Sequence, residues 1–267
     1  RSYFSLAFDR ARGETLLFGG QKAPFLYNDT YLFDGRQWVR LSPTGTLPAA
    51  RAMAAMAYDE ARDRTVLFGG WLQGDIYSAE TWEFDGTAWE QVFPSAPPPG
   101  RAFARMVYDE AAARIVLFGG KPDSWTALAD TWEYDGTEWV QTTPATSPPA
   151  RSEHHLAYDR VRERVVLFGG RSTPVDNLND TWEYDGATWV ETPPTPSPVK
   201  RYDGSLVYDE GRNRVMLFGG SSINGLAADT WEYDGVRWVR QGPPLSPSPR
   251  TGQVAVYDSW RRVAVLV

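Results

Sequence analysis

The stretch RTVLFGGW, from Arg64 to Trp71, contains the letters that decide the fold. Its core, LFGG, recurs and ends at Gly20, Gly70, Gly120, Gly170 and Gly220, always fifty residues after the previous copy. A fixed period of this length predicts a repeat architecture in which every copy forms the same supersecondary unit. The last letter is not part of the repeat, because a Trp follows only the second copy.

Each unit carries further residues at fixed distances from the glycine pair. An Arg opens it, at Arg1, Arg51, Arg101, Arg151, Arg201 and Arg250, and an aromatic residue followed by Asp comes seven residues later. After a variable loop comes TWEYDG or a near copy. A Trp then stands three residues past the Gly of this motif, at Trp38, Trp89, Trp139, Trp189 and Trp238. A Pro-rich segment leads to the next Arg.

The unit contains four strand-like pieces, which we name A to D. In the second copy they are AMAAMAYD (52–59), RTVLFGG (64–70), TWEFD (81–85) and AWEQVF (88–93). The Asp-Gly between C and D is a hairpin signal. Glycines tolerate positive φ, and we expect at least one Gly of each pair that ends strand B to adopt it. No segment shows sustained 3.6-residue periodicity, so the sequence predicts almost no helix.

Four antiparallel strands repeated at about fifty residues are typical of a β-propeller blade. The unit resembles the repeat of the kelch family. It has an Arg-led strand, then a hydrophobic run ending in Gly-Gly, then an aromatic residue and then a Trp. The closest resemblance is to the bacterial kelch proteins described as galactose-oxidase-like. It covers essentially the whole chain, and it implies an all-β, kelch-type β-propeller in one domain, 1–267, with ligands bound over the mouth of a central channel.

The repeats predict blades at 1–50, 51–100, 101–150, 151–200 and 201–249, and an incomplete sixth blade at 250–267 that has only an A–B hairpin. Kelch propellers commonly build one blade from both termini. The resemblance therefore implies a six-bladed ring whose missing strands C and D lie upstream of Arg1 in a longer parent protein. Five blades with a loosely docked hairpin is the alternative. An unfilled blade would expose strand edges, which favours self-association.

The composition limits the function. The chain is 42% hydrophobic and 14% aromatic, which suits a packed domain, and it has no Cys and therefore no thiolate site. A net charge of −7 argues against nucleic-acid binding. No apolar run approaches the ~20 residues of a membrane span, so we expect no membrane insertion. A leader could have been removed before Arg1, and we favour a secreted or cell-surface location over a cytoplasmic one.

Strand order places the B–C loops, the D–A segments and the first residues of strand A on one end of the ring, here called the B–C face. Long variable loops make this the predicted binding face. The opening Arg residues would circle it, where they could bind an anion or pair with acids at the start of strand C. These acids share the fifty-residue period, which favours pairing; they are Asp29, Glu80, Asp130, Asp180 and Asp229.

Residues that depart from the repeat are the candidates for ligand contact. Trp71 and Trp125 lie in B–C loops, where each could offer a flat apolar surface to a ligand or fold back over its own loop. Lys121 and Arg171 follow the glycine pairs of the third and fourth units. Trp260 lies in an A–B turn on the opposite end, where we expect it to cap the core.

The first residues of strand A also differ from one unit to the next. If they point into the channel mouth, they form a mixed aromatic and polar pocket. These residues are Tyr3, Phe4, Met53, Phe103, Arg105, Glu153, His154, His155, Tyr202, Asp203 and Gln253.

Catalysis has little support in the sequence. His154 and His155 are adjacent in a strand and point to opposite faces, so we expect no metal between them. A kelch-type copper oxidase needs a Cys crosslinked to a Tyr, and this chain has no Cys. We therefore predict a non-catalytic propeller that has no cofactor. We expect it to bind a protein, peptide or glycan on the B–C face. The alternatives are an acid–base enzyme using Glu153, His154 and Asp203, and a fragment whose open blade drives assembly.

Overall fold

The computed structural model describes residues 1–173, 176–242 and 246–267. These residues form β-strands joined by turns, and none of them is helical. The strands make a four-stranded antiparallel sheet in each complete repeat and a two-stranded sheet in the last repeat. The all-β, kelch-type propeller and the near absence of helix that the sequence predicts are both confirmed.

The strands follow the repeat in chain order. The first repeat has β1 (Ser5–Asp9), β2 (Glu14–Phe18), β3 (Gln21–Lys22), β4 (Phe25–Leu26), β5 (Thr30–Phe33) and β6 (Trp38–Arg40). The second has β7 (Ala55–Asp59), β8 (Arg64–Phe68), β9 (Trp71–Leu72), β10 (Ile76–Tyr77), β11 (Thr81–Phe84) and β12 (Trp89–Val92). The third has β13 (Arg105–Asp109), β14 (Arg114–Phe118), β15 (Thr131–Tyr134) and β16 (Trp139–Thr142).

The fourth repeat has β17 (His155–Asp159), β18 (Arg164–Thr173), β19 (Asp176–Tyr184) and β20 (Trp189–Glu191). The fifth has β21 (Arg201–Tyr202), β22 (Ser205–Asp209), β23 (Arg214–Phe218), β24 (Ser221–Ser222), β25 (Gly225–Leu226), β26 (Thr230–Tyr233) and β27 (Trp238–Gln241). The last repeat has β28 (Ala255–Asp258) and β29 (Val263–Leu266). Every complete sheet has the strand order A, B, C, D, and the short two-residue strands belong to the B–C loops and the start of the fifth repeat.

Both glycines of every Gly-Gly pair have positive φ, which confirms the expectation from the sequence. Gly69 has a φ of 74°, and a Cβ built on it would stand 2.6 Å from the carbonyl oxygen of Arg101. The N–H of Gly70 donates to the same oxygen at 2.8 Å. The pair therefore ends strand B where the backbone must turn while lying directly against the opening Arg of the next repeat.

A Trp from strand D joins each of the second to fifth blades to the blade before it. Trp89 is buried and donates from Nε1 to Thr30 Oγ1 at 3.0 Å. The same bond joins Trp139 to Thr81, Trp189 to Thr131 and Trp238 to Thr181. Trp38 has no such partner among the described residues and is 37% exposed. The conserved spacing of Trp in the repeat is therefore a packing requirement between blades.

The inner strands contact one another in the cyclic order β1, β7, β13, β17, β22, β28 and back to β1. The last hairpin also reaches the first blade through Arg261, which donates to the carbonyl oxygens of Gly13 and Asp34. These contacts close a cycle in which β28 lies between β22 and β1. Within the described parts of the chain, β29 pairs only with β28.

Candidate functional site

Four of the opening Arg residues are buried, and each of them is paired with a strand-C acid, while Arg1 is paired but exposed; the four are Arg51, Arg101, Arg151 and Arg201. Arg101 donates from its two Nη atoms to the two carboxylate oxygens of Asp130 at 2.6 and 2.8 Å, and also to the carbonyl oxygen of Gly119. Burial alone would raise the pKa of Asp130, but the hydrogen bonds from Arg101 hold it below its usual value. The equivalent ion pairs are Arg1–Asp29, Arg51–Glu80, Arg151–Asp180 and Arg201–Asp229. The structure therefore shows the pairing with strand-C acids that the fifty-residue period favours over anion binding.

A ring of left-handed residues surrounds the channel mouth on the B–C face. It occupies the position two residues after each opening Arg, and its members with positive φ are Tyr3, Met53, Phe103, Glu153, Asp203 and Gly252. Each N–H from the second member onward donates to the carbonyl oxygen of the preceding member, at distances from 2.8 to 3.2 Å. Five side chains with different chemistry are therefore held at equivalent positions around one opening.

Cations and aromatic rings meet in the third to fifth repeats of this ring. Lys121 Nζ lies 2.7 Å from a carboxylate oxygen of Glu153 and 4.7 Å from the centroid of Phe103. Arg171 lies over the ring of Tyr202 at 4.3 Å, and its Nη1 is 3.6 Å from the second carboxylate oxygen of Glu153. Glu153 thus neutralises two cations whose side chains stay partly exposed.

Two further polar residues lie deeper in the mouth. Arg105 Nη2 stands 3.8 Å from Asp203 Oδ1, beyond hydrogen-bond distance. Asp203 is only 4% exposed, and its burial, opposed by the charge of Arg105 and reinforced by that of Glu153, raises its pKa to about 6. Tyr3 and Phe103 meet edge to face above the same recess, with ring centroids 5.8 Å apart.

The two B–C loop tryptophans have different environments. Trp125 is 81% exposed. Trp71 is half-buried and donates from Nε1 to Asp75 Oδ1 in its own loop at 3.2 Å. It also lines an open cavity of about 330 Å³ together with Tyr77, Phe103 and other residues; these are Gln21, Met53, Asp75, Lys121 and Ser124. Trp71 is therefore held by its loop while part of its side chain faces open space.

Other predicted residues lie beneath the surface. Phe4 is buried in the core, and His154 is fully buried with its ring edge against Phe118. Neither ring nitrogen of His154 has a hydrogen-bond partner among the described residues, so neither Glu153 nor Asp203 pairs with it. Burial and the nearby Arg105 and Arg151 hold the pKa of His154 well below its usual value, and the ring is neutral.

His155 has a structural position. Its Nδ1 bonds to the carbonyl oxygen of Phe168 at 2.8 Å, and its Nε2 accepts the N–H of Gly204 at 2.7 Å. These bonds fix a neutral ring with the proton on Nδ1. A Cβ on Gly204 would stand 2.8 Å from His155 Nε2, which explains the Gly at that position.

Trp260 does not cap the core as the sequence suggested. It is 61% exposed and lies across Gly13, where it donates from Nε1 to the carbonyl oxygen of Arg10 at 2.7 Å. The reason is that its turn meets the neighbouring A–B turn of the first repeat, rather than the inner strands. It packs on a surface glycine between two repeats.

A second charged ring lies at the opposite end of the channel, and its residues are not among those that the sequence predicted. Its members are Arg10, Glu60, Glu110, Arg160 and Glu210, one residue after the strand-A Asp of each repeat. Arg160 bonds to Glu60 at 3.0 Å and to Glu210 at 2.9 Å, and it also pairs with Glu110. Burial and the adjacent Glu60 raise the pKa of Glu110 to about 7. The fifty-residue spacing of these positions is the signal in the sequence that could have identified them.

A family model described as the KLHDC2/KLHL20/DRC7 Kelch-repeats domain matches residues 5–147 and 137–264. The chain therefore belongs to the kelch-repeat family, and this family fold supports a general protein-binding or scaffold role. No curated protein sequence matches it. Among the residues described, no helix is long and apolar enough to cross a membrane, and no group of three or more His, Cys, Asp or Glu could hold a metal ion.

Proposed function

We propose that this chain is a non-catalytic binding propeller that takes a protein or peptide on the B–C face. The observation that carries the proposal is the open cavity between the second and third B–C loops, beside the channel mouth. Trp71, Tyr77 and Phe103 give it an apolar wall, and Lys121 and Asp75 give it charges of both signs. Apolar area with a few placed charges is typical of recognition sites.

The exposed Trp125 supports the same proposal. It belongs to the loop that carries Lys121, and together with Arg171 and Ser152 it lines a small recess next to the cavity. Asp123 holds this loop by accepting the N–H groups of Trp125 and Thr126 at 2.7 and 2.6 Å. An indole on an ordered backbone loses little conformational freedom when a partner covers it, which suits an anchor residue at an interface.

The experiment is selection of ligands from a peptide array and a glycan array, followed by titration of the selected ligands against variants. Trp125→Ala and Trp71→Ala should each weaken binding at least ~10-fold, the usual effect of removing an interface anchor. Trp260→Ala is the matched control, because it removes a largely exposed Trp from the opposite end. Equal loss in all three variants, or selection of glycans without peptides, would contradict the proposal.

A second candidate function is assembly through the last repeat. The outer edge of β29 has no partner strand in the described chain, and Val263 in this strand is exposed. Free strand edges promote pairing between molecules. Light scattering after gel filtration would test this candidate: a concentration-dependent dimer that Val263→Lys abolishes supports it, and a monomer at all concentrations excludes it.

A further inference from the structure

Arg105 departs from its repeat position in a way that places a guanidinium inside the channel. The equivalent residues, four after each opening Arg, are Ser5, Ala55, His155, Ser205 and Val254. Arg105 Nε donates to the carbonyl oxygen of His154 at 3.2 Å. Its only other polar neighbour in the described chain is Asp203, at 3.8 Å. Most of its donors therefore remain available to a ligand.

Asp203 and Gln253 supply acceptors with spare hydrogen-bonding capacity on the same recess. Asp203 is almost fully buried, and among the described residues the one hydrogen-bond donor to its carboxylate is Thr251 Oγ1, at a long 3.5 Å. Gln253 donates from Nε2 to the carbonyl oxygen of Phe218, but its buried Oε1 has no partner among the described residues. A buried acceptor without a donor costs folding free energy, so this recess suits a ligand group that supplies hydrogen-bond donors.

From these contacts we infer that the channel mouth is a subsite for a neutral carboxamide on the ligand, such as an Asn or Gln side chain. This inference rests on the proposed binding function of the B–C face. The amide oxygen accepts from Arg105, and the amide NH₂ donates to Asp203 and to Gln253 Oε1. One planar group thereby satisfies a donor and two acceptors that the protein leaves open.

The charges select a neutral group over an ion. A carboxylate that accepts from Arg105 stands beside the carboxylate of Asp203, and an ammonium that donates to Asp203 stands beside Arg105. Either ion therefore meets a like charge about 4 Å away in a buried setting, where repulsion is strong. A carboxamide forms the same hydrogen bonds without that repulsion.

The recess has room below it and a way in above it. Arg105, Gln253 and His155 line an inner cavity of about 100 Å³, which continues the mouth into the channel. Tyr3 and Phe103, whose side chains are partly exposed, stand at the outer side of the recess. A side chain that enters beside these rings would place its terminal amide next to Arg105.

The test is a nuclear magnetic resonance titration of the 267-residue chain with acetamide, acetate and methylammonium at pH 7.5. The backbone amides of Asp203 and Gly252 report the mouth. Acetamide should bind at least ~10-fold more tightly than either ion, the effect of one charged hydrogen-bond partner. Asp203→Asn should remove the repulsion and let acetate bind at least as tightly as acetamide. Glu90→Gln, on an exposed part of strand D, should leave the ranking unchanged.

Peptides extend the test and separate the two proposals. In a peptide selected on the B–C face, replacing the critical Asn or Gln by Asp or Glu should weaken binding ~10-fold. Acetate or methylammonium binding as tightly as acetamide to the unmodified chain, or no shift at the mouth with any fragment, would overturn the carboxamide subsite. If peptides still bind through Trp71 and Trp125 in that case, the proposed function stands. If no peptide binds, both proposals fail. If Asp203→Asn does not fold, the relative affinities of acetamide, acetate and methylammonium for the unmodified chain still decide whether the carboxamide subsite exists.

Discussion

Asp203 illustrates how one residue at the channel mouth affects the stability of the protein. Its pKa lies near 6 in the native state and near 3.8 when exposed, so the native protein binds an extra proton between these values. The free energy of unfolding therefore falls as the pH rises from about 4 to about 6, because a buried carboxylate must ionise. A residue that costs stability at neutral pH is typical of a binding site.

Asp203→Asn should remove this cost. We expect the variant to be more stable than the unmodified chain by ~2 to 3 kcal/mol at pH 7.5 and about equal to it at pH 4, because a pKa shift of one unit corresponds to ~1.4 kcal/mol. Urea unfolding of both proteins at the two pH values measures the difference. The same difference at both pH values would show that ionisation of Asp203 is not its source.

The glycine pairs give a second prediction for single residues. Gly69 and Gly74 both have positive φ, but only Gly69 has a neighbour that a Cβ would meet, the carbonyl oxygen of Arg101 at 2.6 Å. Gly74→Ala should cost ~1 kcal/mol of stability from backbone strain alone. Gly69→Ala should cost at least ~2 kcal/mol more, because the next repeat must also move. Equal losses in the two variants would mean that close contact between repeats is not the reason for this glycine.

At the scale of the element, the Trp of strand D links neighbouring blades, and its environment depends on the blade before it. Trp89 is 3% exposed and hydrogen-bonded to Thr30, whereas Trp38 is 37% exposed. Trp89→Ala should therefore destabilise the protein by ~3 to 5 kcal/mol, and Trp38→Ala by about half of that or less. Thermal or denaturant unfolding of the two variants measures this, and equal losses would contradict the account of Trp as an inter-blade bond.

The elements also show what the sequence could and could not predict. The repeat predicted the strands and the positive φ of Gly-Gly, because periodicity and turn chemistry are local properties. It did not predict that His154 would be buried. That position holds Ala54 and Ala104 in other repeats, and the ring of His154 fits only because glycine pairs lie beside it on both sides. The direction of a side chain at the channel mouth depends on its contacts with neighbouring repeats. The sequence of a single repeat does not specify those contacts.

For the whole molecule, the charged ring at the far end of the channel joins several blades at once. Arg160 contacts Glu60, Glu110 and Glu210, which belong to three other repeats. Arg160→Gln should leave Glu110 without its ion pair beside Glu60 and Glu210, which Arg10 still contacts, and destabilise the protein by ~2 kcal/mol, a value reduced for the partial exposure of these groups. Adding Glu110→Gln should recover part of this loss. Arg212→Gln, whose Arg is largely exposed and pairs only within its own turn, is the control for chemical denaturation.

Hydrogen–deuterium exchange of the chain with and without a selected peptide tests the central claim most directly, since it locates the binding surface. The account predicts protection of residues 71–78 and 121–128 and of the channel mouth around residues 103 and 203, with the A–B turns at 60–63 and 110–113 unchanged. Protection of those turns, with the B–C loops unchanged, would place the binding surface on the opposite end and contradict the account.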